Sequence, residues 1–469
     1  MKGCQNWSYR PYKPLAFDVG DIYICRVAPG MGKIHLEWLG EDKNSVSVYY
    51  RKRGEEEFVL SGTTDGEEWD LLDLQDGEEY EFYVSDGTKK SRVRLARTGK
   101  AVGTVVNYLH PEDEVYRFSG SCLCSPSFVR HPEGFLLASM DVYERNYPQN
   151  LTLIFRSDDE GETWHYVSEL MPCFWGELFI HKGDVYMLGC ATEAGDLLIG
   201  KSTDGGKTFS APTALLRGSN GKGGQNGPLR YPQNHMICNG RIWKTMDWGF
   251  WQNEAFFHVA LVASCDVNDD LLRPENWSFS EPVKYDPTWK GTVDGYAKGV
   301  AEGTLCIAPD GRLYDVMRYE IMNGNPPYGR VLAFRVNTED PEAPLEYSHA
   351  IEMPGNRSKF SIQYDEISEK YYSIVTRIYS EKHLGARNLL TLMVSDNMED
   401  WDVVCDLLDY RDEDPQKVGF QYVCFAFDGN DLLWLCRTAM NHARSYHDSN
   451  YSTFHRIKDF RNKKKEGMI

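Results

Sequence analysis

Asp141, Cys190, Asp247, Arg318, Arg377 and Arg437 each lie seven residues after the start of a short apolar run. The runs are Gly134-Phe-Leu-Leu-Ala-Ser-Met-Asp141, Gly183-Asp-Val-Tyr-Met-Leu-Gly-Cys190, Gly240-Arg-Ile-Trp-Lys-Thr-Met-Asp247 and Gly311-Arg-Leu-Tyr-Asp-Val-Met-Arg318, then Lys370-Tyr-Tyr-Ser-Ile-Val-Thr-Arg377 and Asn430-Asp-Leu-Leu-Trp-Leu-Cys-Arg437. Carboxylates supply general acids and bases, and guanidiniums bind anions in a fixed fork. Two acids and three arginines at one level of a repeated unit do not suit a packed core; they suit a lined opening.

The runs recur about 50 to 70 residues apart, the period of a propeller blade of four short strands. The expected fold is therefore all-β, a six-bladed β-propeller over residues 100–469. In such a blade the innermost strand begins at the edge where its return partner ends. Residues just before each return hairpin therefore join the same ring: Cys124-Ser125, Trp175, Glu177, Asn234-His235, Glu302, Ser358-Lys359 and Gln421-Tyr422. Asp141, Glu302, Tyr422, Asp247 and His235 are the expected catalytic groups. Arg318, Arg377, Arg387, Arg437, Lys359, Glu177, Trp175, Trp248 and Gln421 are the expected substrate-binding groups, with Trp251 as a further stacking wall. The last repeat runs out of chain after Tyr451-Ser-Thr-Phe-His-Arg456, so Val102–Leu109 is expected to supply its missing outer strand.

Residues 1–99 have another texture. Residues 1–20 read as an irregular lead-in. Ile22–Val27, Lys33–Trp38, Ser45–Arg51, Glu57–Leu60, Tyr80–Val84 and Lys90–Arg97 read as short alternating strands. Pro29-Gly30, Asp65-Gly66, Asp76-Gly77 and Asp86-Gly87 punctuate them, which is the cadence of a small β-sandwich. The stretch Leu72-Asp-Leu-Gln-Asp-Gly-Glu-Glu-Tyr80 resembles the tyrosine corner of a fibronectin type III domain.

The net charge of −19 argues against a nucleic-acid partner. No apolar run is long enough for a membrane span. No secretory signal is visible in residues 1–20, so a cytoplasmic protein, or a mature secreted form, is expected. The 12 cysteines show no CxxC spacing and read as buried thiols. No metal or cofactor is expected, and the oligomeric state is not legible.

Ser157-Asp-Asp-Glu-Gly-Glu-Thr-Trp164 and Ser202-Thr-Asp-Gly-Gly-Lys-Thr-Phe209 match the Asp-box turn of BNR repeats. With them, residues 100–456 resemble the sialidase (neuraminidase) superfamily. Ala301-Glu302 through Arg318 is similar to that family's strand pair, in which a Glu opens one strand and a clamping Arg closes the next. Gly419-Phe-Gln-Tyr422-Val-Cys424 looks like the strand of the tyrosine nucleophile, and Arg387-Asn-Leu-Leu-Thr-Leu resembles the stretch of the third clamping Arg. Asp141 falls near the family's acid/base Asp. Cys124 stands where the first clamping Arg would be, and His235 and Lys359 have no counterpart in the pattern.

The resemblance implies a carbohydrate-active enzyme with a glycan or oligosaccharide as partner. An exo-acting glycoside hydrolase would use Asp141 as acid/base with Tyr422 and Glu302 as nucleophilic pair, or Asp141 and Asp247 in an inverting arrangement. A polysaccharide lyase would use His235 or a Tyr as base, with Arg318 and Arg437 neutralising a uronate. A non-catalytic carbohydrate-binding propeller is the third reading. The sugar and the linkage are not written in the sequence.

Overall fold

The computed structural model describes residues 4–6, 20–40, 45–219, 224–233, 235–251, 259–292, 297–321, 328–355 and 358–463. Asn234 lies outside them.

Six antiparallel sheets follow one another from residue 122 onward. The first blade is Cys122–Arg130, Leu136–Tyr143, Leu151–Ser157 and His165–Met171. The second, fourth and fifth repeat the same up-and-down order from Phe174–His181, Ala297–Ile307 and Ile362–Asp365. In the third the innermost strand is broken into Gly227–Leu229 and Met236–Cys238, both paired with Arg241–Gly249. The sixth takes its fourth strand from the other end of the chain: Thr104–Tyr108 pairs antiparallel with Tyr451–Ile457. That closes the ring without an open edge, as the exhausted last repeat requires.

Innermost strands of neighbouring blades lie against one another, first on second, fourth on fifth and sixth on first, while in the third blade the return strand Arg241–Gly249 packs on the fourth's innermost strand. Side chains alternate between the two faces of each blade, so blades are glued by interleaved apolar rows. Leu137, Ile154 and Leu198, all fully buried, join the first blade to the second. Each such side chain contributes roughly 1.5–3 kcal/mol. The turns Ser157–Trp164 and Ser202–Phe209 are tied alike. Ser157 Oγ accepts from Gly161 N (2.8 Å), and the Asp159 carboxylate accepts from Thr163 N and Oγ1 (2.9 and 2.6 Å). Ser202, Asp204, Gly206 and Thr208 repeat these bonds.

Ahead of the propeller, Tyr23–Gly30, Lys33–Leu39 and Glu68–Leu71 form one sheet, and Val59–Thr64, Val46–Lys52, Glu79–Ser85 and Arg94–Arg97 another. Val27, Ile34, Leu36, Val48, Phe82 and Val84 fill the space between them with no exposed surface. The Tyr80 hydroxyl accepts from Gln75 N (2.9 Å), pinning the corner before its strand. The strand Glu68–Leu71 was not expected, because its Asp65-Gly66 turn and acidic sequence hide the alternation of Trp69 and Leu71. Nor is the lead-in wholly irregular: Cys4–Asn6 pairs parallel with His165–Met171 at the outer edge of the first blade. The sandwich is bonded to the propeller through buried polar groups. Arg26 donates to Val106 O (2.7 Å) and Val105 O (3.0 Å), and the Tyr23 hydroxyl donates to Glu169 Oε2 (2.7 Å).

Candidate active site

Four innermost strands carry the same irregularity at the same level. The register slips between Cys124 and Ser127, Phe174 and Glu177, Ala301 and Thr304, and Gln421 and Cys424. At each slip one residue is left-handed: Ser125 (φ +49°), Trp175 (+53°), Glu302 (+55°) and Tyr422 (+56°). A non-glycine residue in this region costs roughly 1–3 kcal/mol and persists only where surroundings enforce it. A bulge re-aims the side chain it carries, here out of the blade face. The companion Gly303 allows the fit, since a Cβ there would come within 2.1 Å of Asp315 Oδ1.

Two of the re-aimed side chains meet. Tyr422 OH donates to Glu302 Oε1 at 2.5 Å. They come from the sixth and fourth blades, which are not neighbours, so the contact spans the inner edge of the fifth. Arg318 donates to Glu302 Oε2 and to Glu320, and its Nη1 lies 3.5 Å from the Tyr422 hydroxyl. Burial raises the cost of the Glu302 charge, but Arg318 and the Tyr422 hydroxyl outweigh it and hold the carboxyl below its usual range. Burial, reinforced by Glu302, pushes Tyr422 up to about 12. At neutral pH the pair is thus a neutral phenol hydrogen-bonded to a carboxylate, so that the carboxylate can take the phenol's proton.

Two further guanidiniums crowd the same ring. Arg387 lies 6.0 Å and Arg437 5.2 Å from the Tyr422 centroid, and Arg437 also faces Tyr143 at 5.6 Å. Arg387 donates to Gln421 Oε1, and Gln421 Nε2 donates to Tyr446 O (2.6 Å), so Gln421 is a splint rather than a ligand. Arg437 donates to the His447 carbonyl, with His447 Nδ1 at 3.4 Å. Burial pulls Arg387 down to about 10, Tyr422 opposing and the charges of Arg318 and Arg437 adding to it. An anion entering between these groups would relieve that repulsion.

The other expected residues are placed differently. Asp141 and Asp247 stand at the predicted level but are fully buried. Asp141 accepts from Thr152 Oγ1 (2.5 Å), Trp175 N (2.8 Å) and Gly176 N (3.4 Å). Asp247 accepts from Glu302 N (2.9 Å). Each carboxylate fastens the bulge of the next blade. Arg377 turns away, forming a two-pronged ion pair with Asp406 (2.7 and 2.6 Å) on its own blade. The phase slips by one there, and Thr376 takes the inner place, donating to Phe420 O (3.1 Å).

Glu177 is enclosed by Arg230 and Lys244 in ion pairs, well inside the wall. His235 belongs to that group, its ring 5.5 Å from Phe179, and burial pushes it down to about 3, Lys244 adding to the effect. The inner strand of the third blade is broken between Leu229 and Met236, and Arg230 and His235 there stand by Lys244. Lys359 is 2% exposed, and burial pulls it down to about 8 although the Glu302 charge works against this. Trp175 is packed between Phe174 (4.5 Å) and Tyr231 (5.0 Å). Trp251 continues that row, donating to the Tyr231 hydroxyl (2.5 Å), and Trp248 packs in the same cluster.

Sequence reasoning missed Glu320, Arg230 and the His447–Asp448 pair. Glu320 had a signal: it is two residues beyond Arg318, on the same face of one strand. His447 lies beside Tyr143 (5.7 Å) and is bonded through Nδ1 to Asp448 (2.9 Å).

No family model and no curated protein matches the chain. Among solved structures it is similar to an α-L-arabinanase of Penicillium chrysogenum (14% identity, 77% of this chain and 99% of that one, TM-score 0.47). It is also similar to a leech intramolecular trans-sialidase (10% identity, 93% and 94%, TM-score 0.49) and to the intramolecular trans-sialidase of Ruminococcus gnavus (11% identity, 74% and 96%, TM-score 0.46).

Proposed function

We propose that the chain is an exo-acting glycoside hydrolase that removes a terminal sugar carrying an anionic group beside its anomeric carbon. The observation that carries this reading is Tyr422 hydrogen-bonded to Glu302 with Arg318, Arg387 and Arg437 gathered about the same phenol. Tyr422 Oη attacks the anomeric carbon as its proton passes to Glu302, and the bond to the leaving oxygen breaks. A neutral nucleophile suits a carbon that already bears an anion, and guanidiniums hold that anion bidentately. The leaving oxygen takes its proton from water at the opening, beside Arg437 and His447. Burial and the Arg437 charge push His447 down to about 4, and an anion on Arg437 would lift it. Water then attacks the glycosyl–tyrosine, with retention. The row Tyr143, Tyr231 and Trp251 gives sugar rings an apolar wall.

Of the two bases expected for elimination, His235 is held in the Glu177 cluster, which leaves a Tyr. The test is a panel of aryl glycosides of anionic and neutral sugars together with uronate oligosaccharides, read for released aglycone and for ultraviolet absorbance. Release from anionic glycosides alone is expected. Turnover of neutral glycosides alone, or an unsaturated product, would overturn the reading.

A further inference from the structure

A second cluster of ligating side chains lies at the seam between the sandwich and the first blade, at the end opposite the opening. In the strand pair Lys33–Leu39 and Glu68–Leu71, His35 stands directly opposite Asp70 and Glu37 directly opposite Glu68. Residues two apart share a face, so all four project on one side of the sheet. His165, at the start of the first blade's outer strand, reaches them from the propeller. His165 Nδ1 is 3.1 Å from Glu37 Oε1 and 3.9 Å from Glu68 Oε2, and His35 Nε2 is 3.4 Å from Glu37 Oε1. Donor atoms of His35, Glu37 and Glu68 all fall within 4.8 Å of one another.

The donor atoms of His35, Glu37 and Glu68 lie close enough to share one ion, and His165 approaches them on the side of Glu37 and Glu68. Bonds of ~2.0–2.2 Å at tetrahedral angles put donor atoms about 3.3–3.5 Å apart. The orientation of His35 points the same way. Its Nδ1 is bonded to Asp70 Oδ1 at 2.9 Å, the carboxylate–imidazole arrangement that fixes a metal-binding tautomer. With its proton on Nδ1, His35 turns the Nε2 lone pair toward Glu37 Oε1; a doubly protonated ring donates to both carboxylates instead, and a metal ion would take the place of that second proton. Charge agrees: Glu37, Glu68 and Asp70 crowd one sheet face where like charges directly opposed destabilise, and Arg26 (2.7 Å from Glu37) offsets one of them. A divalent ion would balance the remaining two. The Glu37 carboxylate is held in place: Oε1, the oxygen both imidazoles approach, also accepts from Arg26, and Tyr166 N donates to Oε2 at 2.9 Å.

We propose that His35, Glu37, Glu68 and His165 bind a divalent cation of the zinc class, with Asp70 orienting His35, and that this ion ties the sandwich to the first blade. Mixed imidazole and carboxylate donors favour Zn²⁺ over the oxygen-seeking Ca²⁺ and Mg²⁺.

The test uses the full chain freed of metal by dialysis against a chelator, then titrated with Zn²⁺ by calorimetry and with Co²⁺ by visible absorption. One equivalent is expected to bind, with the intense bands of four-coordinate Co²⁺ and a rise in the thermal unfolding midpoint. His165→Ala and Glu68→Gln alter half-exposed side chains that the fold does not need. Each should abolish the bands. Asp70→Asn should weaken Zn²⁺ binding ~10–100-fold while keeping the bands. Failure of the parent chain to bind, or binding and bands unchanged in His165→Ala and Glu68→Gln, which would place the ion elsewhere, overturns the proposal. Neither outcome bears on the Tyr422 site.

Discussion

Replacing Asp141 by Asn separates the two roles open to that carboxylate. If it fastens the second blade's bulge, the change is felt in stability and its size depends on pH. Burial, opposed by the bonds from Thr152, Gly176 and Trp175, pushes Asp141 up to about 7 from 3.8. The folded pKa is raised, so the stabilisation is fully present below pH ~4 and is lost as pH rises through about 7. A shift of about three units amounts to about 4 kcal/mol, falling at ~1.4 kcal/mol per pH unit between those limits. Asn cannot titrate, but its amide turns a donor toward Thr152 Oγ1 or Trp175 N, leaving one unsatisfied at about 1–3 kcal/mol. In urea denaturation followed by tryptophan fluorescence, Asp141→Asn should therefore be about 1–3 kcal/mol less stable than wild type at pH 5. At pH 8 it should be equal or more stable. A stability difference that does not change with pH would refute the buried, protonated Asp141. Loss of turnover by ~10²–10⁴ in a variant of unchanged stability would restore it as the catalytic acid.

Glu302→Gln should lower kcat by at least ~10²-fold with KM little changed, since it removes the base but leaves the arginines. Arg437→Met should act on KM: loss of a charged hydrogen bond to the substrate anion costs about 1.5–3 kcal/mol, roughly 10- to 150-fold, and should spare neutral ligands. Arg377→Lys should leave kcat and KM within about twofold, because Arg377 is spent on Asp406; its effect on stability should stay below ~1 kcal/mol.

Much of the architecture was legible because a blade repeats its hydrophobic rhythm. The six return strands, the closing strand near Val102–Leu109 and the common level of Glu302, Tyr422 and Arg318 follow from phase, and the resemblance adds which of them meet. What phase cannot carry is the direction of a side chain at an irregularity. The left-handed residues at the four bulges decide which groups face the opening, and no local signal marks Glu302 or Tyr422 as left-handed. Asp141 and Asp247 share the right level with Arg318 and Arg437, yet their short side chains reach the next blade's backbone N–H groups first. One residue of slip in the fifth blade turned Arg377 outward. The third blade's inner strand is broken, and His235 there stands by Lys244. Cys124 of the first blade feels the Arg437 charge of the last, a proximity across sheets that a linear motif does not display.

The central claim is that Tyr422 is the nucleophile. Intact-mass and peptide mass spectrometry of the protein quenched during turnover of an activated aryl glycoside of an anionic sugar tests it directly. A glycosyl adduct on the peptide containing Tyr422, absent from Tyr422→Phe, is the result predicted. Undiminished turnover by Tyr422→Phe, or an adduct on another residue, would contradict it.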